Sequence, residues 1–441
     1  MSEWRTVRLS DVVDIRIGGT PSRSIPAFWA SDSQEGHSWC AISDLKGRYI
    51  SETSERITDA GVENSNVKLI EAGSFIMSFK LSIGRGAMLC RPMYTNEAIA
   101  GFVPKGNISS NFLYYTLPQV AANAVTDTAV KGATLNKDSL GKIRLRIPKD
   151  KAIQEKIVQI LQTIDQAIEK TEQLIEKYQQ IKAGLMHDLF TRGIGADGKL
   201  RPTREQAPEL YQETPIGWIP KEWHCLSLEK LLADVPNNLR SGPFGSALLK
   251  SELVEDGIPF LGIDNIHVEK FEPTFRRFVS ERKFNELAKY SVRPRDVIIT
   301  IMGTVGRAAV VPSDIDSALS SKHLWTMTFD QTLAIPELIC WQLNFSAWVK
   351  SWFRRETQGG IMDAIQSKTL RTLLLPVPDI AEQQEIYKRY ESMVSKLRGA
   401  EAECKKLQKQ KSGLMHDLLT GKVPVSVEPV KAPLSLEQGA A

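Results

Sequence analysis

The chain has few cysteines, no long apolar run and no marked excess of either charge, and each shortage removes a class of explanation. Its five cysteines, Cys40, Cys90, Cys225, Cys340 and Cys404, are scattered over 441 residues. They lack the paired spacing of a zinc site or a disulfide framework, so free thiols and no metal are expected. No stretch approaches the roughly 18 apolar residues of a membrane span, and the opening MSEWRTVRLSD has no signal-peptide core. A cytoplasmic protein without a membrane partner is the expectation. The formal net charge is only +4, so any basic surface has to be local. Walker loops and nucleophile elbows are missing as well. GIGADG (193–198) satisfies the dinucleotide fingerprint on paper. A helical pattern precedes it and KLRPT follows, whereas that fingerprint needs a strand before it and a helix after it.

What is present is average globular composition, 42% hydrophobic and 24% charged, in a chain long enough for two to four domains. It is also written twice. KAGLMHDLFT begins at Lys182 and KSGLMHDLLT at Lys411, which is 411 minus 182, or 229, positions later. The same offset sets Asp150 over Asp379, Gln154 over Gln383 and Ile157 over Ile386. With small slips of register, TLNKDSLGKIRLRIP (134–148) lies over AIQSKTLRTLLLPVP (364–378), SFIMSFKLSIGR (74–85) over DVIITIMGTVGR (296–307), and SEWRTVRLSDVV (2–13) over KEWHCLSLEKLL (221–232). Such self-similarity fixes the plan as globular, helix, globular, helix.

The globular parts, 1–149 and 216–378, read as short strands of Val, Ile and Phe between Gly, Pro and Ser turns, with a few helices, which is an α+β pattern. PELICWQLNFSAWVKSWF predicts one helix whose Leu338, Trp341, Phe345, Trp348 and Trp352 face a core. The segment 193–215, rich in Gly and Pro, reads as a linker, and 422–441 as a flexible tail. Over 150–192 and 379–421 no proline interrupts once each helix has begun, and good helix formers dominate. The first helix repeats Ile157, Leu161, Ile164, Ile168, Thr171, Ile175, Tyr178, Lys182, Leu185 and Leu189 in steps of four and three. The second repeats Ile386, Tyr390, Met393, Leu397, Ala400, Cys404, Leu407, Lys411, Leu414 and Leu418 at the same ten positions. This is a coiled-coil seam with a lysine misfit in each copy. A pseudo-twofold relation lays the two helices antiparallel. The first helix adds a second apolar stripe, Ile153, Ile160, Ala167, Leu174 and Ile181, which implies packing on a domain of this chain or on a partner.

His187 and His416 each adjoin an aspartate, but no further ligand is supplied, and Gly193 and Gly421 follow as stop signals. The phrase reads as a helix terminus made twice. Glu403-Cys404-Lys405 matches the end of a nuclease metal motif without its upstream Pro-Asp partner, so it reads as helix. No residue is assigned a catalytic role.

PIGWIPKEWHCLSL (215–228), AEQQEI (381–386), GLMHDLLTGKV (413–423) and TRGIGADGKLRPT (191–203), in this order and at this duplicated spacing, resemble the specificity subunit of type I restriction-modification systems over nearly the whole chain; AIQEKI (152–157) departs from the usual Glu-Gln-Gln opening. The resemblance implies two target-recognition domains separated by two long antiparallel coiled-coil helices. Each domain would read one half of a split site in double-stranded DNA. The helices would serve as spacer and as docking surface for two methyltransferase subunits, to which restriction subunits can add. It implies no enzyme activity in this chain and no cofactor; S-adenosylmethionine, ATP and magnesium would belong to the partners. The alternatives are a methyltransferase-only system, a coiled-coil scaffold that never reads DNA, and an enzyme, a nuclease or methyltransferase without evident motifs.

Base reading requires Arg, Lys, Asn, Gln, Ser, Thr or His on loops, with basic groups on phosphates. The candidates are Thr20, Ser22 and Arg23 in GGTPSR, Arg85, and Lys131 with Thr134 in the first domain. In the second they are Arg240 and Ser241 in NLRSGPFGS, Arg307, Lys322, His323 and Gln358, with Arg276, Arg277, Arg293 and Arg295 for phosphates. Roughly 40 helical residues give on the order of 60 Å, more than one turn of DNA, so the helices are long enough to set a spacer.

Overall fold

The structure is a computed structural model that describes residues 3–31, 35–80, 82–127, 135–302, 304–357 and 365–427. It divides into two compact units, residues 1–174 with 400–441 and residues 175–399. Each unit holds one globular domain, the beginning of the long helix that follows that domain, and the end of the other long helix.

In the first unit Trp4–Arg8 pairs antiparallel with Arg144–Pro148, which brings the start and finish of the domain together beside the helix that leaves it. A five-stranded sheet runs in the order Val13–Ile17, Ile99–Pro104, Phe75–Ser78, Gly86–Leu89, Tyr49–Ile50. The helix Ser110–Asp127 packs on it through Phe112, Leu113 and Leu117, all fully buried among Phe75 and Phe102. A smaller sheet of Glu55–Ile57, His37–Cys40 and Tyr94–Thr95 encloses Trp39. The second unit repeats this. His224–Ser227 pairs with Leu374–Val377, Val297–Thr300 lies between Leu324–Met327 and Ala308–Val310, and Ile258–Leu261 runs parallel to Ala318–Ser320 as His37–Cys40 does to Tyr94–Thr95. Two turns keep their glycine because the backbone enters the left-handed region, at Gly84 (φ 87°) and Gly306 (φ 92°). Cys340 is buried, and burial raises its thiol well above the ordinary range. The Cys40 thiol is pushed up to about 12 in the same way.

Two expectations are corrected. The stretch expected to form one helix is two, Pro336–Phe345 and Ala347–Thr357. The break at Ser346 (ψ 125°) follows Asn344, whose side chain is engaged with both backbone groups of Ala308. Leu338, Trp341 and Trp352 are buried, Trp348 partly so, and Phe345 is 38% exposed. The linker is also more than a tether. Ile194 bridges Leu200, Tyr211–Thr214 pairs with Gly217–Pro220, and Arg201 is buried.

The long helices are Lys151–Thr191 and Ile380–Leu419. They pair antiparallel along the expected seam. In the first unit Ile157 and Leu161 share a core with Leu418 and Leu419, and in the second Leu189 shares one with Ile386 and Tyr390. Ile164, Ile168, Ile175, Tyr178, Leu185, Met393, Leu397, Leu407 and Leu414 are half-buried, as a two-helix seam leaves them. Both misfit lysines find a carboxylate. Lys411 Nζ lies 2.6 Å from Asp165, which also accepts the Tyr115 hydroxyl at 2.6 Å. Lys182 reaches Glu269, which accepts the Tyr390 hydroxyl at 2.8 Å. The second stripe divides. Ile153 and Ile160 pack on the first domain's core, while Leu174 and Ile181 are 39% and 40% exposed.

Gln154 and Gln383 explain how each helix leaves its domain. The Gln154 carboxamide accepts from the Ser109 amide at 3.0 Å and donates to the Asn107 and Pro148 carbonyls, both at 3.1 Å. Gln383 accepts from the Ile335 amide at 2.9 Å and donates to the carbonyls of Leu333 and Pro378 at 2.8 and 2.9 Å. Both side chains are buried. Asp150 and Asp379 cap the helices through the amides of Ala152 and Glu382, each at 2.8 Å.

The helix ends match equally well. Met186 and Leu189, and in the other copy Leu418 and Leu419, bury into a domain core. The carbonyls of His187 and His416 accept the Thr191 and Thr420 hydroxyls. Asp188 pairs with Arg192 and Asp417 with Lys422. Gly193 and Gly421 then turn with positive φ, each against a tryptophan: an added Cβ would lie 2.5 Å from the Trp223 ring and 2.6 Å from the Trp4 ring. Both imidazoles are exposed, so the repeated phrase is a terminus and not a reactive pair.

Gln154→Ala or Gln383→Ala strands three buried backbone groups, each worth about 1–3 kcal/mol when left unpaired. Urea unfolding should show a loss of about 2–4 kcal/mol for either, against less than about 0.5 kcal/mol for the exposed Gln384→Ala. Equal effects at positions 383 and 384 would contradict the anchoring role. Thiol alkylation near neutral pH should label exposed Cys90 while Cys40 and Cys340 react only on unfolding, as peptide mass mapping can read.

Candidate nucleic-acid interface

Each domain places a loop on a floor of tightly packed backbone. After Val13–Ile17 the chain passes Gly18, where a Cβ would lie 2.2 Å from the carbonyl oxygens of Thr95 and Asn96. After Leu239–Ser241 it passes Gly242, where a Cβ would lie 2.0 Å from the Ser320 carbonyl. Only glycine fits either crossing. The segment following each strand therefore leaves from a fixed point, beside TNEA (95–98) in one domain and SSKH (320–323) in the other.

Around the first loop, the Thr20 hydroxyl bonds Glu97, whose carboxyl is held low chiefly by that bond and to a lesser extent by the charges of Lys80 and Arg23. Arg23 bonds both oxygens of Glu55 and stacks 3.8 Å from the Trp29 ring centroid. Ser22 pairs with Ser24 at 2.8 Å. Arg85 is exposed, with its Nε on the Leu45 carbonyl at 2.8 Å. Lys131 and Thr134 lie outside the described residues, as does Gln358.

In the second domain a cleft of about 420 Å³ brings Arg277, Lys322 and His323 together with Lys250 over apolar walls that include Leu248 and Phe260. Lys322 is exposed. Arg277 bonds Asp264. Burial first, then the charges of Lys322 and Arg277, lower the His323 imidazole, so it is neutral at pH 7 and offers a neutral hydrogen-bonding ring. Arg276 is exposed and no ion pair to it occurs among the described residues. Arg307 is half-buried beside its glycine turn.

Two candidates, Arg240 and Ser241, are buried, and two more, Arg293 and Arg295, are half-buried and engaged within the domain. Arg240 is buried against Asp296 and also bonds Ser291, Asn237 and Thr328. Burial works against both charges, raising the Asp296 carboxyl and lowering the guanidinium, and the bonds converging on the pair hold it charged. Ser241 is 6% exposed, its hydroxyl on the Lys322 carbonyl. Arg293 reaches Pro236 and Thr328. Arg295 forks onto Glu337 at 2.8 and 2.9 Å. Arg240 and Ser241 lie in a strand buried along its whole length, and Arg293 and Arg295 in the turn after Ser291–Val292, so tertiary neighbours decide this and composition does not reveal it. Phe244 and Lys250, two to eight residues past the buried Gly242, were passed over. The run GPFG, an aromatic between glycines, was the available signal.

Among the described residues no cluster of three His, Cys, Asp or Glu side chains is placed to hold a metal ion, and no helix is long and apolar enough to cross a membrane.

Two similar α+β domains, each anchored to a long helix, carry loops that differ between the copies. Residues 1–180 match the family model for the type I restriction modification DNA specificity domain. The specificity subunit of the type I restriction enzyme MjaVIII of Methanocaldococcus jannaschii is 22% identical over 438 residues, covering 96% of this chain and 93% of that one. That of HindI from Haemophilus influenzae is 29% identical over 36% of each chain. The crystal structure of the S subunit from M. genitalium superposes with a TM-score of 0.54 at 14% identity, over 94% of this chain and 96% of that one. A structure described as underlying complex assembly and conformational transition of the type I system gives 0.56 at 15% identity, over 95% and 98%. Over nearly its whole length the chain is similar to specificity subunits of type I restriction enzymes, and residues 1–180 match that family's DNA specificity domain.

Arg240→Ala leaves Asp296 buried without its partner, which costs about 3–5 kcal/mol. Thermal unfolding should fall sharply for this variant, while Lys322→Ala and Arg276→Ala keep the melting temperature and lower the salt slope of DNA binding by about one ion each. A salt slope unchanged in both would remove them from the interface.

Proposed function

We propose that each globular domain reads one half of a bipartite site in double-stranded DNA, that the paired helices set the spacing between the half-sites, and that the same helices dock two methyltransferase subunits, to which restriction subunits can add. The observation that carries this reading is the duplicated plan: one framework occurs twice, down to the buried glutamines, and differs at the loop tips. Leu174 and Ile181, the exposed remainder of the second stripe, provide apolar surface for a docked subunit. This chain contributes recognition and no chemistry. S-adenosylmethionine, ATP and magnesium belong to its partners, and the complex works in the cytoplasm.

The ruler is testable by length. One heptad inserted into both helices at matched seam positions adds about 10 Å, or about three base pairs at 3.4 Å each. Methylation mapping in a host expressing the altered chain with its methyltransferase should report the same two half-sites with a longer spacer. Altered half-sites with an unchanged spacer would overturn the assignment.

A further inference from the structure

Phe244 is 61% exposed, a large apolar ring left in water. It sits at the tip of a turn with little freedom. Gly242 is wedged against Ser320 and Ser321, with its amide on the Ser321 carbonyl at 3.1 Å; Pro243 fixes the next φ; and Gly245 turns back with φ 59° into Gly245–Ala247. The cleft lined by Pro243 and Gly245 carries Lys250 and Lys322, neither in an ion pair among the described residues, beside the neutral His323. The acids nearby are already engaged, Asp264 with Arg277 and Glu252 with Lys283. An exposed aromatic ring on a turn whose flanking Pro243 and Gly245 line a cleft with unpaired cations matches a nucleotide in both of its chemistries, a π-face for the base and positive charge for the phosphate.

The first domain uses the same platform differently. Counting from the matched glycines, 242 minus 18 gives an offset of 224, so Thr20 stands where Phe244 does. Lys322 is replaced by Glu97, which holds the Thr20 hydroxyl. The two heads therefore differ in kind at one point, a polar tip in one and an apolar cationic tip in the other.

We infer that Phe244 stacks on a base, or wedges into a base step, of the half-site read by the second domain, and so determines specificity at that position. This rests on the reading of the domains as DNA readers. The test uses the full complex of this chain with its methyltransferase, first unaltered, then with Phe244→Ala and with Phe244→Trp. Binding to the duplex found by methylation mapping should weaken roughly tenfold for Phe244→Ala and recover in Phe244→Trp. The mapped motif should become degenerate at a position of one half-site only, with the other half-site and the melting temperature unchanged. A 2-aminopurine placed at that step should change its fluorescence on binding in the wild type and not in Phe244→Ala. Wild-type affinity and an unaltered motif in Phe244→Ala overturn the stacking role alone. An unaltered complex without sequence-selective retention of DNA overturns the underlying reading and the stacking with it.

Discussion

A single buried carboxamide at the start of each long helix fixes how that helix leaves its own domain. Gln154 and Gln383 sit one turn into their helices, and each ties three backbone groups that belong to different pieces of its domain: the end of the strand that runs into the helix, a loop, and the residue that precedes the domain's own helix. Three bonds from one rigid planar group fix a direction as well as a distance. That matters because a rod of roughly 40 residues is a lever on the order of 60 Å long. Hydrophobic contact alone, being non-directional, does not hold such a direction.

Polar groups in the seam continue the same logic. Lys411 with Asp165 and Tyr115, and Lys182 with Glu269 and Tyr390, place an ion pair and a hydroxyl where a seam otherwise takes leucine. Polar seam positions fix register because any slip leaves them unpaired. The copies solve the problem differently, one carboxylate lying on the partner helix and the other on a domain hairpin. Glu382 is a third case. It accepts from Arg201, the Ile194 amide and Trp223, where the first copy has Ile153 in the corresponding place. The connector after the first helix is thereby packed onto the start of the second. These carboxylates are held by partners distant in sequence, so each is also a statement about chain path.

The recognition loops invert the usual relation between charge and contact. Arginines that look available are paired within the second domain, Arg240 with buried Asp296 and the half-buried Arg295 with Glu337, and they stiffen the platform on which the loops stand. The groups left facing solvent are fewer and less obviously basic: Arg276, Lys322, Lys250 and the ring of Phe244 in one domain, Thr20 and Arg23 in the other. A platform fixed by glycine crossings and buried ion pairs tolerates change at its tips, since those tips contribute little to the core.

The duplication, the seam, its two lysines, the stop glycines and the split into two α+β domains were all legible in the residues, because periodicity and self-similarity survive without three-dimensional information. Trp4 and Trp223, noticed only as matched letters, prove to be the surfaces on which the helices end. The partners of Lys182, Lys411, Gln154 and Gln383, the orderly packing of the 193–215 connector and the break at Ser346 were not legible, since each depends on a contact between positions far apart in the chain. The same holds for the binding face. That Arg240 is buried follows from Asp296, Ser291, Asn237 and Thr328 closing around it, and none of these neighbours is readable from its own stretch of sequence. The sequence by itself therefore determined how many heads and rods the protein has and along which edge the rods pair. Tertiary structure decided which charged side chains are spent on the framework and which remain to meet a ligand, because burial and pairing are properties of neighbours that only folding brings together.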